Sequence, residues 1–170
     1  MKKIIRKIQY SEKVYLFDVE APLIAKSRKA GNFVIIRVDA NSERMPLTIA
    51  DADIEKGTIT LVVQKVGLSS TKLCNLNEGD EIHDVVGPLG NPTHIENFGT
   101  VLCAGGGVGV APMLPIIKAL KAAGNRVLSV IAGRSKDRVI MEDEVRASSD
   151  ELIIMTDDGS YGEKGVVTVG

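Results

Sequence analysis

The stretch Gly105-Gly106-Gly107-Val108-Gly109-Val110-Ala111-Pro112 decides how the second half of the chain folds. It follows a short apolar run, residues 100–104, and leads into residues 110–123, whose apolar side chains recur with helical spacing. A strand, a glycine-rich turn and a helix in this order present free backbone N–H groups and the positive end of the helix dipole to an anion. The stretch therefore predicts a turn that binds a diphosphate.

Two known phosphate-binding patterns do not match this turn. A nucleotide-hydrolysing P-loop is excluded because no Gly-Lys-Ser/Thr follows the glycines. The ordinary Rossmann fingerprint, GxGxxG, is not matched because the spacing here is GGGVGV. A turn that only packs the helix against the strand stays open as the structural alternative.

The chain on either side of this turn has two kinds of organisation. Near residue 98 it begins to alternate between strand and helix patterns, which predicts parallel strands; the segments are 100–104, 110–123, 126–132, 137–147 and 151–156. Before that point, β-rich segments between glycine turns predict a small antiparallel barrel. We therefore predict two domains, residues 1–97 and 98–170. Because the second has only three candidate strands, we expect it to be incomplete and the chain to be a truncated form.

Composition argues against several functions. The 170 residues carry 21 Lys+Arg and 22 Asp+Glu, a net charge of −1, which gives no electrostatic reason to bind nucleic acid or an anionic membrane. No apolar run reaches the roughly 20 residues that span a bilayer, and the start of the chain lacks the apolar segment of a signal peptide. Because Cys74 and Cys103 are the only cysteines and lie far apart in the sequence, we expect a reducing, cytoplasmic location. His83 and His94 have no ligand spacing such as HExxH, so we expect no protein-held zinc or other metal site.

The glycine turn, the β domain before it and the loop Gly87-Pro88-Leu89-Gly90 together resemble the ferredoxin–NADP reductase superfamily. Three further segments are similar to one of its branches: ERMPLTIAD (43–51), MEDE (141–144) and TDDGSYGEKG (156–165). That branch contains the electron-transfer subunits of dihydroorotate dehydrogenase and the small subunit of NADH-dependent ferredoxin:NADP oxidoreductase, also called sulfide dehydrogenase. The resemblance covers the whole chain and implies an FAD-binding antiparallel β-barrel followed by an NAD(P)-binding α/β domain.

The resemblance implies two flavin-binding segments in the first domain. In one of them, Arg44 would reach the FAD diphosphate, and Thr48 would lie beside the flavin nitrogen that receives hydride, which makes Thr48 the candidate catalytic residue. The other is a strand followed by a glycine and small hydroxyl residues. The implied contacts are Arg44, Pro46, Leu47, Thr48, Val63, Lys65, Gly67, Ser69, Ser70 and Thr71. An exposed loop arginine and a helix capped by Ser69 or Ser70 are the structural alternatives.

The resemblance also implies a pyridine-nucleotide site in the second domain. Its glycines would approach the diphosphate, and Arg134 would lie near the adenosine ribose, where it suits the 2′-phosphate of NADP or the diphosphate of NAD. A loop after the third strand would lie on the nicotinamide side, with simple turn formation as the alternative. The implied contacts are Gly105, Gly106, Gly107, Gly109, Arg134, Asp157, Asp158 and Gly159.

The implied chemistry is hydride transfer from NAD(H) or NADP(H) to FAD, which then passes electrons on. In the branch that the chain resembles, the next carrier is a 2Fe–2S cluster. This chain has too few cysteines to hold a four-thiolate cluster alone. The expected partner is a larger redox subunit or ferredoxin. Two other functions stay open, a self-contained NAD(P)H:flavin reductase and a non-catalytic docking module.

Overall fold

The computed structural model describes residues 1–168, which form two compact units that divide between Thr93 and His94. The first unit contains a seven-stranded sheet in which every neighbouring pair is antiparallel. In chain order its strands are β1 (Lys2–Ser11), β2 (Val14–Glu20), β3 (Phe33–Arg37), β4 (Met45–Asp53), β5 (Thr58–Gln64), β6 (Glu81–Ile82) and β7 (Asp84–Leu89).

This sheet curls into a nearly closed barrel. The spatial order is β6-β1-β2-β5-β4-β3-β7, so its two end strands are neighbours in sequence, separated only by His83. Alternate residues of the strands point inward, and the fully buried core includes Phe17, Ile36 and Leu61. Two helices complete the unit, α1 (Pro22–Ser27) and α2 (Leu68–Asn75). The predicted antiparallel barrel is confirmed.

The second unit contains a four-stranded parallel sheet in the order β11-β10-β9-β8. Its strands are β8 (Thr100–Gly106), β9 (Arg126–Gly133), β10 (Glu151–Thr156) and β11 (Glu163–Lys164), and its helices are α3 (Val110–Ala122) and α4 (Glu142–Ser148). Helix α3 packs on β8 and β9, and α4 packs on β9 and β10. Side chains such as Val127 and Ile131 of β9 are fully buried. The predicted parallel α/β domain is confirmed.

One local prediction was wrong, and a few local features were not predicted. The single helix expected over 137–147 is a short 3₁₀ turn, Lys136–Arg138, followed by α4. Between them Met141 adopts a left-handed backbone, with φ of 56°, which an uninterrupted helix excludes. Pro115 lies inside α3, where proline is uncommon, and this was not predicted. Strand β1 and helix α1 were not predicted at all.

None of the helices within residues 1–168 combines the length and the apolar character that a membrane span requires.

Candidate functional site

The glycine turn joins β8 to α3, and its glycines differ in packing and in backbone conformation. A Cβ added to Gly105 would lie 3.2 Å from Sδ and Cε of Met113, so close packing of the helix favours glycine there. Gly107 has φ of +53°, a conformation that other residues rarely adopt. Gly109 has an ordinary φ of −65° and nothing within 4 Å of an added Cβ. Neither packing nor backbone strain therefore requires glycine at 109, and the space above it is open.

Helix α3 begins directly behind this turn without a side-chain cap. In its first turn, the Val110 N–H donates to the carbonyl oxygen of Gly107 and Pro112 has no N–H, so Ala111 carries the remaining N–H that no side chain caps. Open space, uncapped N–H groups and the positive end of the helix dipole are what an anion such as a diphosphate needs. The packing-only alternative explains Gly105 but does not explain Gly109.

The carboxyl ends of β8, β9 and β10 lie side by side at one edge of the sheet. In the register, Gly106 pairs with Ala132, and Gly133 pairs with Thr156. Because neighbouring strands are about 4.8 Å apart, the turns that follow these residues are neighbours too. The structure therefore brings the glycine turn, Arg134 and the loop 157–162 to the same edge, as ligand sites in parallel sheets require.

The loop after β9 is held tightly against the strand end. A Cβ on Gly133 would lie 2.9 Å from the carbonyl carbon of Arg138, so only glycine allows the chain to fold back here. The N–H of Asp158 donates to the carbonyl oxygen of Arg134 at 3.2 Å, and the N–H of Lys136 donates to the Ser160 hydroxyl at 2.9 Å. The guanidinium of Arg134 is exposed and makes no hydrogen bond or ion pair with residues 1–168.

The loop after β10 is anchored by residues that the sequence analysis did not select. The buried hydroxyl of Thr156 donates to the carbonyl oxygen of Tyr161 at 2.7 Å and accepts from the N–H of the same residue at 3.1 Å. The Tyr161 hydroxyl donates to Glu142 of α4 at 3.0 Å, and this hydrogen bond raises the pKa of Tyr161. A hydrogen bond from Ser160 lowers the pKa of Asp158. These contacts cross from loop to strand and helix, so sequence spacing gave no signal for them.

In the first unit, the segment 44–48 runs from an exposed loop into β4. Arg44 is exposed and has no hydrogen-bond or ion-pair partner within residues 1–168. Pro46 is exposed, whereas Leu47 and Thr48 are half-buried and pair with Val34 and Phe33 of β3. The structure therefore fits the alternative of an exposed loop arginine. The same unpaired guanidinium is also suited to bind an anion.

The second predicted flavin segment forms the start of α2. The helix of the structural alternative is present, but its N-cap residue is Gly67, and Ser70 lies three residues further on, in a capping box. The buried hydroxyl of Ser70 accepts the backbone N–H groups of Gly67 at 2.9 Å and of Val66 at 3.0 Å. The Ser70 hydroxyl is therefore already hydrogen-bonded at the helix start. Ser69 is half-buried.

An ion pair connects α2 with the loop that leads to Arg44. The ammonium of Lys72 lies 2.9 Å from the carboxylate of Asp39 and 3.4 Å from the Ser42 hydroxyl. Lys72, followed by Ser42, lowers the pKa of Asp39 to about 2. The helix that carries Gly67–Thr71 is thus tied to residues 39–42, a few residues before Arg44. Sequence reasoning missed this pair because its members are 33 residues apart.

A cavity of about 450 Å³ lies beside the start of α2. Three predicted flavin contacts line it, Lys65, Gly67 and Thr71, together with Lys13 and Tyr15 among others. Neither Arg44 nor any other residue of the segment 44–48 lines it. Val63 is 1% exposed and packs in the barrel core, so its side chain is not available to a surface ligand.

The two cysteines are free thiols, one in each unit. Burial raises the pKa of Cys74 and of Cys103. Both thiols are therefore less readily deprotonated than an exposed cysteine. Residues 1–168 contain no cluster of three or more histidine, cysteine or acidic side chains arranged to hold a metal ion.

Proteins of similar sequence identify the family of this chain. No protein-family model matches the chain. It is 49% identical over 168 residues to a homologue of the dihydroorotate dehydrogenase B (NAD(+)) electron transfer subunit from Thermotoga maritima, covering 99% of this chain and 59% of that protein. It is 32% identical over 172 residues to the electron transfer subunit of Streptococcus pneumoniae serotype 4, covering 98% of this chain and 68% of that subunit.

Solved structures give the same result. The structure of an NADH-dependent reduced ferredoxin-NADP oxidoreductase, described for flavin-based electron bifurcation, is 47% identical and superimposes with a TM-score of 0.93 over 99% of this chain and 61% of that one. Phthalate dioxygenase reductase, at 21% identity and a TM-score of 0.74 over 94% of this chain and 52% of that one, shows the shared fold alone. The chain spans about six tenths of the length of the relatives it matches at the highest identities. The resemblance that the sequence motifs indicate is confirmed.

Proposed function

Because the chain belongs to the family of dihydroorotate dehydrogenase B electron-transfer subunits, within the ferredoxin–NADP reductase superfamily, we propose that it is an FAD-dependent electron-transfer oxidoreductase subunit. It would carry electrons between NADH or NADPH and an iron–sulfur centre or ferredoxin. The observation that carries this proposal is the glycine turn, where a helix start without a side-chain cap and open space over Gly107 and Gly109 meet at one sheet edge.

The residues of the first unit fit an FAD diphosphate. Its two negative charges need cations and free N–H groups. Arg44 has no other partner within the described residues, and Lys65 lies beside the start of α2. Bound FAD would supply hydride acceptance and one-electron release, chemistry that side chains lack.

The side chains of the chain itself then have positioning roles. Arg44 binds phosphate oxygens, and the Lys72–Asp39 ion pair holds its loop beside α2. Thr48, half-buried on β4, offers a hydroxyl to a flavin nitrogen without being a redox centre itself. In the second unit, the backbone of the glycine turn binds the diphosphate of the nucleotide, and Arg134 adds a positive charge.

We propose that the electrons pass to a larger redox subunit that carries the iron–sulfur centre, or to ferredoxin. A cytoplasmic location fits the two free thiols, because reducing compartments keep cysteines in this state.

Flavin titration tests the proposal. The purified chain is titrated with FAD while the flavin absorbance and fluorescence are followed, and NADH is then added under nitrogen. We expect tight FAD binding, and bleaching of the flavin band by NADH. Arg44→Ala should weaken FAD binding by about tenfold, the effect of one lost charge-assisted hydrogen bond.

The matched control is Lys26→Ala, which removes one exposed cation from α1 and should leave FAD binding unchanged. A chain that binds no FAD contradicts the proposal and favours a docking module. Activity only with an excess of free flavin favours the flavin reductase. Unchanged FAD binding by Arg44→Ala refutes the role of this residue alone.

A further inference from the structure

Two of the segments that mark the family branch, 141–144 and 156–165, meet in the second unit. The Tyr161 hydroxyl donates to Oε1 of Glu142, the first residue of α4, at 3.0 Å, and both residues are half-buried. Directly before Glu142, the buried Met141 has φ of 56°, a backbone conformation that costs free energy in a residue other than glycine. The start of α4 is therefore strained at the point where it contacts the loop after β10.

Tyr161 connects this helix with both loops at the carboxyl edge of the sheet. The ammonium of Lys136, in the loop after β9, lies 5.1 Å from the centre of the Tyr161 ring, close enough for a cation–π contact. The buried Thr156 hydroxyl bonds to both the N–H and the carbonyl oxygen of Tyr161. The ring, the hydroxyl and the backbone of Tyr161 are thus each held by a different element.

The loop 157–162 in turn holds the backbone of the loop after β9. The N–H of Asp158 donates to the carbonyl oxygen of Arg134 at 3.2 Å, and the Ser160 hydroxyl accepts the N–H of Lys136 at 2.9 Å. The guanidinium of Arg134 makes no hydrogen bond or ion pair with residues 1–168. Its position over the sheet edge therefore depends on how its backbone is held.

We propose that Glu142 and Tyr161 are positioning residues, whose hydrogen bond holds the two loops together and so places Arg134 for the diphosphate of a bound nucleotide. The inference rests on the proposed nucleotide-binding function and assigns residues that act on the same site through Arg134. Arg146, one turn along α4, lies 2.8 Å from the same oxygen of Glu142 and orients the carboxylate. The hydrogen bond to Glu142 raises the pKa of Tyr161, so the hydroxyl keeps its proton in the neutral range.

A double-mutant cycle tests the inference, with ADP-ribose as the probe in calorimetric titrations well below the melting temperature. Tyr161→Phe removes only the hydroxyl, and we expect ADP-ribose to bind about three- to tenfold more weakly, because the loop loses one hydrogen bond to a charged group. In an Arg134→Ala background the same change should have little further effect, because the residue that is positioned has been removed.

Two substitutions at Glu142 test the other partner of the hydrogen bond. Glu142→Ala removes the acceptor and should weaken ADP-ribose binding as much as Tyr161→Phe does. Glu142→Gln keeps an oxygen that accepts the Tyr161 hydroxyl, and it should restore most of the affinity. A general loss of stability would explain neither this rescue nor the dependence on Arg134.

The matched control is Lys121→Met, which removes an ion pair with Asp150 at the amino end of β10, at the opposite edge of the sheet. It should leave the affinity for ADP-ribose unchanged, and thermal unfolding shows that each variant is folded. Equal weakening by Tyr161→Phe with and without Arg134 overturns the inference but not the proposed function, and so does unchanged affinity in both Tyr161→Phe and Glu142→Ala. If the folded wild-type chain binds no ADP-ribose, the nucleotide site itself is refuted, and the inference with it.

Discussion

The substitution Gly109→Ala separates ligand binding from folding at the glycine turn. Gly109 has φ of −65° and ψ of −14°, a backbone conformation that alanine adopts without strain. An added Cβ would meet no atom within 4 Å. The methyl group would therefore project into the space where the nucleotide diphosphate is proposed to bind, and it would disturb nothing in the protein itself.

The expected effect on stability follows from these angles. Replacing glycine by alanine at a compatible position stabilises a protein by about 0.4–1 kcal/mol, because the unfolded chain loses conformational freedom. We therefore expect the melting temperature to stay constant or to rise by about 1–4 °C. Binding should change in the opposite direction. A methyl group that keeps the diphosphate from one or two backbone N–H groups removes hydrogen bonds to a charged group, about 1.5–3 kcal/mol each, so the affinity for ADP-ribose should fall by about tenfold to a hundredfold or more.

The assay pairs thermal unfolding with calorimetric titration of ADP-ribose, and Gly105→Ala is the contrasting variant. Its added Cβ would lie 3.2 Å from the Met113 side chain and 3.3 Å from the carbonyl oxygen of Gly109, so it should destabilise the unit by about 1–3 kcal/mol through overpacking. If Gly109→Ala binds ADP-ribose as tightly as the wild-type chain, the nucleotide does not approach this backbone. If it lowers the melting temperature instead, the structural account of Gly109 is wrong.

Two further predictions concern the anchors of the site. Lys72→Met removes the ammonium that lowers the pKa of Asp39 to about 2, and we expect weaker FAD binding in flavin titrations with an unchanged circular dichroism spectrum. A carboxyl whose pKa is depressed by folding stabilises the fold above its ordinary pKa, 3.8, and loses this contribution as the pH falls through about 2. Urea unfolding should therefore find Lys72→Met less stable than the wild type near pH 6, with a difference that narrows between pH 3.8 and 2; a gap that does not change with pH would contradict the assignment. Gly162→Ala should release the loop 157–162, because the added Cβ would lie 2.1 Å from the carbonyl oxygen of Ile154 on a backbone with φ of +65°. We expect faster hydrogen exchange of the Asp158 N–H. Unchanged exchange would show that the loop accepts alanine at this position.

Local periodicity was sufficient to predict most of the architecture. Strands β8 to β10 each contain apolar runs with glycines and polar turns around them, and such a pattern requires no knowledge of distant contacts. The failure at 137–147 has a tertiary cause. Gly133 lets the backbone of Arg138 approach closely, and three residues later Met141 has a left-handed backbone. Helical propensity in this segment was overridden by a contact that the sequence does not display.

The candidate site likewise has a part that the sequence predicts and a part that it does not. Glycines at the end of a strand predict a phosphate-binding turn because they act locally, and the structure shows open space at Gly109. The interactions that hold the site in shape are non-local. Lys72 with Asp39, and Thr156 with Tyr161, are ordinary polar residues whose partners become evident only when the chain has folded.

Family membership and the structure therefore give different information about this chain. Membership in the electron-transfer family concerns the whole proteins, of which this chain spans about six tenths. It names a nucleotide and a flavin without saying which atoms choose between related ligands. The contacts that hold the candidate site in shape join residues far apart in the sequence, such as Lys72 and Asp39, so the structure identifies them and a family name does not.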